Sequence, residues 1–329
     1  MTSTSQKPTI EADSSAKELV VAHRFDAAAG VVTLELADSD GAILPAWQPG
    51  AHIDLMLENG VVRQYSLCGT PENSSTWRIG ILRDPASRGG SAYVHDNIGA
   101  GSTVRVRGPR NHFPLEDSPS YIFVAGGIGI TPILPMVAEA DRRGRDWRLL
   151  YLGRSASTMA FTDELSTTYG DRVRLWHDDV HGICDLGSEL AVPVADTLIY
   201  SCGPEPLLSA LEQHSIHWPA GSLHVERFAA KPAAEPSQNS LATFQVECRR
   251  SAVTVEVSED TSILEALEDA DVPIMSSCLE GICGTCEAPV LEGAPDHRDS
   301  MLSAEQHAAG NTILTCVSRS LSQTLVLDI

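Results

Sequence analysis

The sequence lacks an apolar run long enough to cross a membrane. It also lacks a basic leader with an apolar core, since residues 1–16, MTSTSQKPTIEADSSA, are polar. The first absence argues against a membrane span and the second against secretion, so a cytoplasmic location is expected. Positive charge is scarce as well. Twenty-three Lys and Arg face 44 Asp and Glu, a formal net charge of −21, which argues against nucleic acid or an anionic membrane surface as partner. No internal repeat is visible, and no Ser–His–Asp constellation stands out. The histidines are dispersed apart from the pair in HSIH, so a histidine metal site is not expected. What remains is a chain of 329 residues, 43% of them hydrophobic, with material for two or three domains.

Cysteine is present, and unevenly. Three of the eight fall within nine residues of SSCLEGICGTCEAP, where Cys278, Cys283 and Cys286 stand at C-x4-C-x2-C, and Cys316 follows in NTILTCVSR. Disulfides belong to oxidising compartments, which the missing leader argues against. A structural zinc site is a second reading, but zinc ligands usually arrive as two well-separated short pairs. The spacing is that of a plant-type [2Fe–2S] site held by four thiolates. Gly281, Gly284 and Thr285 are small enough to let the backbone wrap the group and point N–H donors at sulfur. Cys68, Cys184, Cys202 and Cys248 are scattered and read as buried small hydrophobes.

The chain divides into three parts. Residues 17–117 carry short extended runs (ELVVAHRF, VVTLELAD, AHIDLML, VVRQYSL, WRIGILRD, STVRVRG) punctuated by Gly and Pro, the pattern of a small antiparallel β-barrel. One short helix, GGSAYVHDNI, interrupts them. Residues 118–230 alternate apolar strands (YIFVAG, WRLLYLG, VRLWHD, TLIYSCG, LHVERF) with helical stretches, which predicts an α/β unit on a parallel sheet. Residues 231–240 close a stretch rich in Ala, Pro and Ser that reads as a linker. Residues 241–329 hold a hairpin (ATFQVECR, AVTVEVSED), a helix (SILEALEDADV), the cysteine loop and a closing strand, TLVLDI. This third part has fifteen Asp or Glu against four Arg, a net −11. Such a surface suits steering toward a basic partner, or solubility alone.

Several short motifs could carry chemistry. In RQYSL, Arg63 could meet a phosphate bidentately, Tyr65 offers an aromatic face and Ser66 a hydroxyl; an ordinary amphipathic strand is the plain alternative. In SRGGS, Arg88 precedes Gly89 and Gly90 at a helix start, followed by Ser91, an arrangement that suits a phosphate but also a tight turn. AGGIGITP is not a G-x-G-x-x-G fingerprint, because Pro132 replaces the last glycine. Its glycines at 126, 127 and 129, with Thr131 and Pro132 opening a helix, still permit close approach to a pyrophosphate. SCGPEPLL repeats the design at a later strand end with Cys202, Gly203 and Pro204. In open α/β folds ligands bind at this carboxyl edge. Glu226 and Phe228 end the second part, Phe228 reading most simply as a core aromatic.

Taken together, RQYSL, RGGS, VAGGIGITP, SCGP, ERF, SSCLEGICGTC, DHRD and CVSR, in that order over residues 17–329, resemble the phthalate dioxygenase reductase family, with relatives such as vanillate demethylase reductase components. The resemblance implies a multidomain protein: an antiparallel β-barrel that binds FMN, a ferredoxin reductase-like α/β domain that binds NADH, and an α+β β-grasp plant-type ferredoxin domain. By motif, Arg63, Tyr65, Ser66 and Leu67 would hold the flavin, with Ser66 near its reactive edge. Gly80, Ile81 and Leu82 would line the ring, and Arg88, Gly89, Gly90 and Ser91 would cradle its phosphate. Gly126 to Pro132, Arg154 and Cys202 to Pro204 would frame the nucleotide. Ser66, Cys202, Glu226 and Phe228 would sit at the reacting centre, Phe228 shielding the flavin face. Cys278, Cys283, Cys286 and Cys316 would ligate the [2Fe–2S] cluster.

The activity so implied is that of a monomeric NADH-dependent reductase, passing electrons through FMN and the cluster to a Rieske-type terminal oxygenase or demethylase of aromatic catabolism. A reductase serving a cytochrome P450 is the alternative within the class. A zinc-binding or redox-sensing module without catalysis is the alternative outside it.

Overall fold

The computed structural model describes residues 16–85, 89–231 and 241–329. Alternation of inward and outward side chains builds the first unit. Strands β1 (Lys17–Ala28), β2 (Val31–Ala37), β3 (Ala51–Met56), β4 (Val62–Ser66), β5 (Thr76–Leu82) and β6 (Thr103–Asn111) pair antiparallel in the order β4-β3-β6-β1-β2-β5. A bridge between Leu67 and Ile79 brings the end of β4 onto β5 and closes the curl. The interior is filled by Leu19, Val21, Leu34, Ile53, Leu55 and Trp77, all buried. Each such side chain contributes about 1.5–3 kcal/mol by leaving water. Helix α1 (Gly90–Asn97) packs on the barrel core through buried Val94.

The second unit is a five-stranded parallel sheet of β7 (Ser120–Gly126), β8 (Asp146–Gly153), β9 (Val173–His177), β10 (Thr197–Cys202) and β11 (Leu223–Glu226), ordered β11-β10-β7-β8-β9. The near-continuous apolar run of β7 follows from burial on both faces. Helix α2 (Ile130–Arg142) packs one face, and α6 (Glu205–His214) the other; between them lie α3 (Thr162–Tyr169), α4 (Asp178–His181) and α5 (Leu186–Glu189). Strand order reverses between β7 and β10. The loops after those two strands therefore flank the crevice where such sheets bind ligands.

In the third unit β12 (Phe244–Cys248) and β13 (Val253–Val257) form the expected hairpin, and β12 runs parallel to β18 (Thr324–Leu327). Strand β14 (Glu287–Glu292) pairs with β18 and with β16 (Thr312–Leu314), and β15 (Pro295–Asp296) with β17 (Arg319–Ser320). Helix α7 (Ile263–Asp269) covers the sheet, started by a reciprocal cap between Ser262 and Glu265. Helix α8 (Ala304–Ala309) precedes β16. The fold class is the one expected, a barrel, a parallel α/β sheet and a β-grasp unit. The linker assigned to 231–240 lies outside the described residues except for Lys231, whose amide donates to Ser300 Oγ at 2.9 Å. Among the described residues no helix is long and apolar enough to cross a membrane.

Candidate active site

The first cluster of site residues joins two motifs far apart in sequence. A Cβ placed on Gly90 would lie 2.6 Å from Arg63 Cγ and 2.8 Å from its Nε. The start of α1 thus rests directly on the Arg63 side chain, which only glycine permits. Gly89 caps the helix in the left-handed region at φ 90°, where a side chain is strained. A helix start beside a guanidinium forms a phosphate cradle, and FMN's phosphate fits it. Asn59 fixes the loop by donating to Gly89 O at 3.0 Å, and Ser91 Oγ accepts from the Asp84 amide at 3.1 Å. Arg88 lies outside the described residues.

Tyr65, next along β4, is enclosed enough that burial pushes its phenol up to about 12. Leu67 and Ile81 are fully buried in the barrel core, so neither offers its side chain to a ligand. The Ile81 carbonyl is also engaged, by the His95 ring at 3.0 Å. Leu82 is exposed. Gly80 is bare because the second unit presses on it: its missing Cβ would lie 2.9 Å from Thr131 Cγ2.

The two glycine loops meet each other. A Cβ on Gly129 would lie 2.3 Å from Cys202 O, and one on Gly126 would lie 2.7 Å from Pro204 Cδ, while the Gly203 position is 3.0 Å from Gly126 Cα. These glycines serve close packing of loop on loop. Gly127, at φ 53°, faces open space. Thr131 is buried, its hydroxyl donating to Ile128 O at 3.0 Å, and Pro132 is buried in the first turn of α2. Arg154 is exposed past the end of β8, and its carbonyl accepts from the Asp179 amide at 3.0 Å.

Three groups converge where the barrel meets the sheet. Cys202 and Glu226 are register partners on β10 and β11, and Ser66 approaches from β4. Burial pushes the Glu226 carboxyl up to about 8, against the pull of the Ser66 hydroxyl, and Oε2 is buried without a hydrogen-bond partner. The residue as a whole is half-buried, but its carboxyl end is enclosed. An orphaned acceptor in such a place suits a ligand donor. Burial, with Glu226 nearby, holds the Cys202 thiol well above its usual range, so this cysteine is an apolar wall and not a nucleophile. Phe228 is 42% exposed rather than core, standing just past Glu226. Arg227 presents it there by donating to Glu205 at 2.9 Å and to Glu212 at 2.6 Å.

Glu226 yields a pH-dependent expectation. Its folded pKa lies above the unfolded value, so its contribution to stability is complete below about 4.5 and is lost as pH rises through about 8. Glu226→Gln, which keeps a neutral side chain, should leave Tm near wild type at pH 5. It should exceed wild type increasingly toward pH 8, then level off. A Tm difference that is constant across that range would show that Glu226 is charged in the folded protein.

The cysteine loop forms the last cluster. Cys283 and Cys286 are buried and Cys278 and Cys316 half-buried, and none is in a disulfide. Cys278 hydrogen-bonds Cys283, and Cys316 hydrogen-bonds Cys286, which holds Cys283 near 5 and Cys286 near 7, below the usual thiol range. Backbone amides aim at sulfur, Glu280 N at 3.3 Å from Cys278 and Thr285 N at 3.5 Å from Cys283. Gly281 and Gly284 take φ of 68° and 70°. A Cβ on Gly281 would lie 2.6 Å from Val317 Cγ2, so neither backbone nor space admits another residue. Four converging thiols with amide donors fit a [2Fe–2S] cluster. Cys248 sits apart, in the core of the third unit.

Sequence reasoning missed Asn59, the Arg227 clamp with Glu205 and Glu212, and the buried Asp54 described below. Arg227 lies inside the ERF motif, and the others carry no local signal.

Residues 246–321 match the family model of the 2Fe-2S iron-sulfur cluster binding domain. The phenoxybenzoate dioxygenase subunit beta of Ectopseudomonas oleovorans is 41% identical over 87% of this chain and 89% of its own. An intact type IV self-sufficient cytochrome P450 monooxygenase superposes with a TM-score of 0.90 at 41% identity; the match takes in 99% of this chain but only 43% of that one. The structure of phthalate dioxygenase reductase, described as modular for electron transfer from pyridine nucleotides to [2Fe-2S], matches with a TM-score of 0.69 at 37% identity, over 95% of this chain and 98% of its own. With the cradle, the paired glycine loops and the four thiols in one molecule, the chain belongs to the phthalate dioxygenase reductase family of flavin and [2Fe–2S] oxygenase reductases.

Proposed function

We propose that this chain draws electrons from NADH and delivers them to a Rieske-type terminal oxygenase of aromatic catabolism, working as a cytoplasmic monomer. Three functional units, 17–117 for FMN, 118–230 for NADH and 241–329 for the cluster, divide the task. When bound, the flavin accepts an electron pair from the nicotinamide and the cluster passes electrons singly, the conversion that an oxygenase requires. Arg63 and the start of α1 neutralise the flavin phosphate. Ser66 and a protonated Glu226 present neutral hydrogen-bonding groups at the reacting edge and keep charge out of it. Phe228, exposed just past Glu226, would shield the flavin face where a nicotinamide enters, and Gly126 to Pro132, with Cys202 to Pro204, would shape the nucleotide crevice. The observation that carries this reading is that Cys316, delivered after β16, joins the three thiols of a loop seated on the same barrel that holds Arg63 and Ser66.

NADH is the expected donor. Asp178 and Asp179 open α4 beside the backbone of Arg154, the one arginine between β8 and α3, so a 2′-phosphate would meet carboxylates as well as the guanidinium. We expect kcat/KM for NADH to exceed that for NADPH by about tenfold or more, about 1.4 kcal/mol. Comparable values would remove the donor assignment.

A second reading rests on one observation, the match to the self-sufficient cytochrome P450 monooxygenase. Presenting the NADH-reduced protein to a purified Rieske-type oxygenase and to a purified P450 separates the two. Reduction of the Rieske centre supports the main reading, and reduction of the P450 haem alone supports the second.

A further inference from the structure

The barrel and the iron–sulfur loop are joined by a polar contact that no motif predicts. Asp54 on β3 is completely buried between two arginines of β6. Arg107 Nη2 lies 2.8 Å from Asp54 Oδ2, and Arg110 Nη2 lies 2.6 Å from Oδ1. Gln64, within the flavin strand, donates to the same carboxylate at 3.2 Å. Burial alone would raise the Asp54 carboxyl, but Arg110 and Arg107 outweigh it and hold it below the usual range, so the carboxylate is a fixed anion. The same Arg107 Nη2 donates at 3.0 Å to the carbonyl of Ser276, two residues before the first cluster ligand.

Just beyond β6, the His112 ring forms the other half of the contact. A Cβ on Gly284, between two cluster ligands, would lie 3.1 Å from His112 Cε1 and 3.2 Å from its Nδ1. His112 is backed by the His52 ring at a centroid distance of 5.8 Å, and His52 is the register partner of Ser66. A contiguous packed path therefore runs from the Ser66 edge through His52 and His112 to the backbone between Cys283 and Cys286.

We propose that Arg107 and His112 form a seat that holds the iron–sulfur loop in register on the flavin barrel, making them positioning residues for electron transfer from flavin to cluster. Arg107 reaches the loop at the Ser276 carbonyl and His112 at Gly284, so each acts through the backbone of the loop. The guanidinium is suited to this because its planar fork engages Asp54 and the Ser276 carbonyl together, which a lysine ammonium cannot reproduce. The proposal rests on the oxygenase-reductase reading for its redox consequence, but the seat itself can be tested without it.

The experiment uses the full-length holoprotein with Arg107→Lys, which keeps a cation beside Asp54, and His112→Ala. Hydrogen exchange of peptides spanning 276–285 should rise in both variants, while exchange across β1 to β5 stays unchanged. In anaerobic stopped flow, flavin bleaching by NADH should proceed at the wild-type rate. Bleaching of the iron–sulfur band should slow by about ten- to a hundredfold, the scale on which ångström misplacement acts. Unchanged exchange in the loop would overturn the seat. Raised exchange with an unchanged flavin-to-cluster rate, or equal slowing of both steps, would overturn its positioning role. A holoprotein that NADH fails to bleach at all would count against the functional reading instead, and the exchange data would still decide the seat.

Discussion

Replacing Cys316 by serine should abolish the iron–sulfur absorption, while replacing Cys248 by serine should leave it intact. Both residues lie in the third unit, where motif and geometry alike separate their roles. Cys316 hydrogen-bonds Cys286 and lies in the field of Cys278, so its sulfur completes the four. Cys248 is wholly buried on β12 among Val246, Val257, Leu267 and Leu325. A hydroxyl there lacks a partner and should lower stability by about 1–3 kcal/mol without touching iron content. Iron per chain and the visible spectrum check both arms. A Cys248→Ser protein without the cluster bands, beside a Cys316→Ser protein that keeps them, would mean that the ligand set is wrong.

The second large effect is expected at Gly90. Adding one methyl there collides with the middle of the Arg63 side chain. Because that side chain is flexible, the fold should survive by swinging the guanidinium off the helix start, and alanine favours the helix by a few tenths to about 1 kcal/mol. Gly90→Ala should therefore retain its Tm yet bind FMN about a hundredfold more weakly, about 2.8 kcal/mol. Equilibrium titration of flavin fluorescence measures this. Unaltered affinity would place the phosphate elsewhere.

The fold was largely legible because its elements are built from local patterns. All six barrel strands show period-two alternation or apolar runs cut by Gly and Pro, and β7, β8 and β10 are apolar runs in a strand–helix alternation. The elements that escaped are those whose patterns are weak. Helix α3, TDELSTTY, is short and polar and buries only Leu165. Strand β14 carries Pro289 near its centre, which reads as a strand breaker, yet the proline pairs with Thr312 of the edge strand β16 and its carbonyl accepts from the Asp328 amide at 3.0 Å. Three cluster ligands were legible because spacing along one loop encodes them, and Cys316 because it follows that loop within the same motif series. The flavin cradle was legible as two separate motifs, but not as a single contact, since Arg63 and Gly90 meet only through the closure of the barrel. Asp54 looked like any strand carboxylate. Its role comes from β6 delivering two arginines to one pair of oxygens, a tertiary fact with no trace in neighbouring residues. Phe228 shows the converse, a residue that resembles core in sequence and stands exposed because Arg227 is clamped beneath it.

The central claim is that one chain takes electron pairs from NADH and holds a single-electron outlet in the cysteine loop. The most direct measurement is an anaerobic titration of the purified, cofactor-loaded protein with NADH, followed by absorption. The flavin and iron–sulfur bands should both be present at the start and should both bleach. A colourless protein carrying zinc, or a coloured one whose iron–sulfur band is untouched by NADH, would contradict it.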